Sequence, residues 1–101
     1  MESIKMLVGA VLLLAAGAAM ASEDLAQSKG CLVCHSIDSN KLGPAYVDVA
    51  QRYAGQADAE AKLTAKVIEG GAGSWGDMAM QPNNITPEEA KQLVQWILTL
   101  K

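Results

Sequence analysis

The 101-residue chain has no phenylalanine, and its aromatic content is two tryptophans and two tyrosines. It has one histidine, two cysteines and three prolines. A single histidine with two cysteines falls short of the four ligands that a structural zinc site takes. The net charge is −3, with no run of basic residues, which argues against nucleic-acid binding. So few large apolar side chains make a thin core, and small domains of this kind often need a disulfide, a metal or a cofactor to hold them.

Met6 to Ala21 is an unbroken run of apolar and small residues behind Lys5, closing on Ala19-Met20-Ala21. Charge, apolar core and small-residue exit read as a secretory signal over 1–21, cleaved after Ala21. The run is short for a bilayer span, which needs roughly 20 apolar residues, although an uncleaved anchor is the alternative. Cleavage leaves residues 22–101 as one domain with no membrane span. It removes one acid, Glu2, and one base, Lys5, so the net charge is unchanged.

The remaining chain carries Cys31-Leu32-Val33-Cys34-His35. This is Cys-x-x-Cys-His, the signature of covalent c-type haem attachment. Two thiols one turn apart suit the two vinyl groups on one haem edge, and the next residue presents an imidazole to the iron. The other ring nitrogen then has to donate a hydrogen bond that fixes the tautomer. A thioredoxin-like dithiol would require a βαβ context that is missing here, and a plain disulfide leaves His35 without a purpose. One motif implies one haem.

No second histidine exists to complete the iron. Beyond residue 21 the methionines are Met78 and Met80, in a stretch bounded by Gly76 and Pro82 that reads as a loop. Either sulfur could serve, with the other left to packing; His/Met ligation raises the potential of a haem.

The coarse pattern is helical throughout, and no β-hairpin signal is evident. Ser22-Glu23-Asp24 opens a helix running to about Cys34. Tyr46, Val49, Ala50 and Tyr53 follow i, i+3, i+4, i+7. Asp58 is placed to cap a third helix that Gly70-Gly71 stops. Thr86-Pro87-Glu88-Glu89 is a capping box, and the helix it opens aligns Ala90, Leu93, Val94, Ile97 and Leu98. The first and last helices are expected to pack across each other. Gly71-Ala72-Gly73-Ser74-Trp75-Gly76 matches G-x-G-x-x-G but lacks the preceding strand and following helix of a nucleotide site. Asn84-Ile85-Thr86 matches a glycosylation pattern of low specificity.

Several segments, in order, give this chain a family likeness: Cys31–His35, Lys41-Leu42-Gly43-Pro44-Ala45-Tyr46, Asp48-Val49-Ala50, Tyr53-Ala54-Gly55-Gln56, Trp75-Gly76, Met80-x-Pro82-Asn83 and the final helix around Trp96. With them the chain from Cys31 to the C-terminus resembles a small bacterial class I cytochrome c, close to the cytochrome c-551 type. The resemblance implies an all-α fold of four to five short helices around one covalently attached haem c. It implies Met80 as the second ligand, although Gln81 departs from the commoner Met-Pro-Pro-Asn. It also implies that the Pro44 carbonyl accepts from His35, that Asn83 supports the Met80 sulfur, and that Trp75 lies against a propionate. Lys66 sits where the family often has a base near the propionates; a solvated helix face is the other reading of that residue. The implied function is one-electron transfer in the periplasm by a monomer that is not an enzyme. Its partners would be transient redox proteins: a reductase, an oxidase or a quinol-oxidising complex. A haem sensor or peroxidase-like enzyme with an open axial position is the alternative.

Overall fold

The computed structural model describes residues 22–101, and the signal segment expected at 1–21 lies outside the described residues. Residues 22–28 are helical (α1), and the chain then turns at 29–30. The helix was expected to reach Cys34. It stops because Gly30 adopts a left-handed conformation, φ 77°, which a right-handed helix cannot continue through. Cys31–Val33 forms a separate short 3-10 turn.

Helix α2, Tyr46–Arg52, buries Tyr46, Val49 and Ala50 on the face that the spacing predicts. Helix α3, Ala59–Glu69, begins after Asp58 and ends at Gly70 as expected. Asp58 makes no side-chain cap; its carboxylate instead meets Lys62 one turn on, at 3.1 Å. Helix α4, Pro87–Ile97, opens on the full capping box. Glu89 N–H donates to Thr86 Oγ1 and Thr86 N–H donates to Glu89 Oε1, both at 3.1 Å.

The absence of a hairpin signal proved misleading. Gly71–Gly73 (β1) and Gly76–Met80 (β2) pair antiparallel around Ser74-Trp75, with Gly71 opposite Met80 and Gly73 opposite Gly76. The register shifts between those pairs. Three glycines and no polar–apolar alternation hide such a strand pair from a periodicity reading. The stretch read as a loop thus holds a strand that ends on Met80, and the fold is mostly helical with one small sheet. The G-x-G-x-x-G match is this hairpin, with helix α3 before it and strand β2, not a helix, directly after.

Helix α4 packs on α3 and touches α2. Gln95 Nε2 donates to Glu60 Oε1 at 3.2 Å across the α3–α4 seam. Lys29, just past α1, meets Glu89 at the start of α4 at 3.4 Å. Ala26 of α1 shares one apolar cluster with Ala90, Leu93 and Val94 of α4, which brings the first and last helices together. Leu93 and Val94 are wholly enclosed, and Tyr46, Val49, Val67 and Ile97 are buried beside them among the described residues. Burying each is worth roughly 2 kcal/mol, so the polypeptide's own core is as modest as its composition suggests.

Candidate functional site

The Cys-x-x-Cys-His segment is stitched to the chain that follows it. Cys34 N–H and His35 N–H both donate to Cys31 O, at 3.2 and 3.0 Å. Gly43 N–H donates to Cys34 O at 2.7 Å, and Tyr46 N–H to Ser36 O at 2.9 Å. These bonds bring Pro44 beneath His35, with 2.8 Å between His35 Nδ1 and the Pro44 carbonyl oxygen. A carbonyl only accepts, so Nδ1 is the donor, and in the neutral ring this leaves the lone pair on Nε2. That is the ring state a metal ligand requires.

Gly43 allows this approach. A Cβ there would lie 2.7 Å from His35 Nδ1 and 2.8 Å from Nε2, well inside van der Waals contact. Tyr46 covers the imidazole from another side, its ring stacked 5.0 Å away with 23° between planes. Trp96 meets Tyr46 edge-on at 5.9 Å. Burial pushes the Cys31 thiol upward against a smaller lowering from the Tyr46 hydroxyl, and burial likewise raises the Tyr46 phenol. The Tyr46 phenol stays protonated at neutral pH.

A cavity of about 600 Å³ opens beside these residues. Cys31, Cys34, His35 and Pro44 line it from the motif, while Trp75, Met78 and Met80 line it from the hairpin. Leu93, Val94 and Ile97 of α4 reach it from the core. Single exposed apolar side chains are ordinary, but several gathered on one cavity mark a binding surface. Of the four exposed among the described residues, Leu42 (64 % exposed), Trp75 (39 %) and Met78 (64 %) line this cavity together, while Val33 (74 %) does not. Met80 is half-buried and packs against the core cluster.

Two neighbouring residues acquire specific surroundings. Lys66 is half-buried and lines the cavity with its ammonium beside Gly71, so the solvated-face reading does not hold. Asn83 lines the cavity, but its amide donates to Val67 O at 2.8 Å and to Gln81 O at 3.4 Å rather than to the Met80 sulfur. Carbonyl oxygens are the stronger acceptors, and the bond to Val67 fixes the chain just beyond the hairpin to α3. Sequence reasoning gave no role to Gly43, the Tyr46 stack or Arg52. Gly43 stood inside a quoted segment, but Arg52 meets its partner 22 residues away, and no local pattern announces such a pair.

The donor set suits a covalently held haem. Two thiols, an imidazole with a free Nε2 and two thioethers border one largely apolar cavity of ligand size. A zinc reading has no footing, since no three His, Cys, Asp or Glu side chains gather to hold a metal ion among the described residues.

Comparison with known proteins agrees. The cytochrome c family profile matches residues 16–101. Cytochrome c-552 of Hydrogenobacter thermophilus is 52 % identical over 86 residues, spanning 85 % of this chain and 88 % of that one. Cytochrome c-551 of Pseudomonas aeruginosa is 48 % identical over 90 residues, 88 % of this chain and 86 % of that one. The crystal structure of Nitrosomonas europaea cytochrome c552 superposes with a TM-score of 0.76 at 42 % identity, covering 78 % of this chain and 99 % of that one. This chain therefore belongs to the cytochrome c family, with the class I fold and one covalently attached haem c for which Cys31 and Cys34 supply the Cys-x-x-Cys-His arrangement, and it is a monohaem electron carrier.

Proposed function

We propose that His35 and Met80 would hold the haem iron, and that the protein shuttles single electrons in the periplasm without transforming a substrate. The observation carrying this reading is the pairing of a fixed imidazole with a half-buried thioether on one cavity: His35 Nδ1 is committed to Pro44 O, and Met80 packs on the core. Met78 lines the same cavity but is 64 % exposed, so ordering its flexible side chain would cost more. The bound haem supplies a one-electron iron couple. Cys31 and Cys34 tether it, Pro44 and Gly43 hold the His35 ring, and the walls exclude water. With His35 and Met80 both committed to the iron, no position would remain open for a substrate.

The secretory pattern at 1–21 supports export, and no helix among the described residues is long and apolar enough to cross a membrane. The partners we propose are redox proteins that bind the monomer briefly through a small patch: a terminal reductase, an oxidase or a quinol-oxidising complex. The test is the optical spectrum of the reduced protein before and after carbon monoxide. Sharp bands that ignore the gas are expected. A clear shift would overturn the closed-site reading and favour a sensor or peroxidase-like role.

A further inference from the structure

Arg52 is the last residue of α2, the helix whose Tyr46 stacks on His35. Its guanidinium carbon lies 4.2 Å from the centre of the Trp75 ring. Its Nη1 donates to Ser74 O at 2.6 Å. Ser74 and Trp75 form the turn of the hairpin that carries Met78 and Met80. Gln56 Nε2 in turn donates to Arg52 O at 3.2 Å, which anchors the helix end. Among the described residues no carboxylate forms an ion pair with Arg52. Its charge is directed at an indole face and a carbonyl. A planar guanidinium can do both together, whereas an ammonium on a flexible stem does not match that geometry.

The hairpin needs such a tie. Strand β1 is Gly-Ala-Gly, and both strands are exposed along nearly their whole length. A two-stranded ribbon is marginal alone; its ladder sets its shape but not its position. Arg52 joins the turn to the wall that holds His35.

We propose that Arg52 is a positioning residue: its clasp on Ser74 and Trp75 holds the hairpin against α2 and thereby keeps Met80 in place. The Met80 part rests on the ligation proposed above; the mechanical part does not.

The test uses the full holoprotein, with Arg52→Met keeping the stem and Arg52→Lys keeping the charge. Amide exchange at residues 71–80 and the rate of carbon monoxide binding to the reduced protein are measured together. Arg52→Met should speed hairpin exchange by about fivefold and raise the wild type's small residual rate of gas uptake in step, with α4 exchange unchanged and with Arg52→Lys restoring less than half of the effect. Unchanged hairpin exchange overturns the proposal, as does an equal rise in α4. Faster exchange without faster gas binding, in a protein whose wild type resists the gas, also overturns it. If the wild type itself takes up the gas freely, the ligation reading fails, and hairpin exchange alone decides whether Arg52 positions the hairpin.

Discussion

The rings of His35 and Tyr46 lie nearly parallel at 5.0 Å, and Tyr46 in turn meets Trp96 edge-on. The attachment motif is thus connected to α4 through one buried aromatic residue. Replacing it with a small side chain should loosen both ends. Tyr46→Ala is expected to cost about 3 kcal/mol, and Tyr46→Phe, which keeps the stack, about 1 kcal/mol or less. Denaturant titration of the holoprotein checks the pair; equal costs would mean that the hydroxyl, not the ring, is what matters.

Gly43→Ala drives a methyl group into the His35 ring. The neighbour is the imidazole on one side and bonded backbone on the other, so relaxation is limited. The expected cost is about 2 kcal/mol, with a shifted reduction potential. A variant with the wild-type potential would show that His35 can move aside freely.

The two methionines separate cleanly. Met80→Ala should open the reduced iron to carbon monoxide, while Met78→Ala should leave it closed. The reverse pattern would transfer the ligand role to Met78.

The capping box sets a pH dependence. Glu89 lies below its ordinary value of 4.5, chiefly through the Thr86 backbone N–H and secondarily through Lys29. A carboxylate lowered on folding contributes stability above its ordinary range and loses it as pH falls through the lowered value. Glu89→Gln should therefore flatten the decline in melting temperature below pH 4.5. Thr86→Ala should cost about 1 kcal/mol at neutral pH. An acid limb unchanged in Glu89→Gln would assign it to other carboxylates.

The double variant Cys31→Ala, Cys34→Ala is expected to leave little folded protein, because the buried apolar core among the described residues is small and borders the cavity through Leu93, Val94 and Ile97. A core so small rarely supplies more than about 5 kcal/mol. A cooperative far-UV circular dichroism melt of that variant would show the polypeptide to be self-sufficient.

What could be read from sequence divides along physical lines. The capping box at Thr86 and the stop at Gly70 are local signals carried by adjacent residues, and both appear in the structure. The attachment motif names its own chemistry. The hairpin escaped because glycine backbone writes no side-chain period. Lys66 was hard to place because a helix wheel cannot show that the neighbouring wall is bare at Gly71. The Arg52–Trp75 contact depends on how α2 and the hairpin meet, which only the tertiary packing determines.

The His35 side of the cavity is closed by bonds of short reach. From Gly30 to Val47, each backbone bond that shapes the motif loop spans ten residues or fewer. Closing such loops costs little chain entropy, so this segment can assemble almost independently of the rest. The Met80 side needs α3, the hairpin and a clasp from α2 all in place. The two halves should therefore gain and lose structure out of step. In native-state exchange, protection over 31–47 is expected to outlast protection over 71–80, and every partial opening should begin where the thioethers stand.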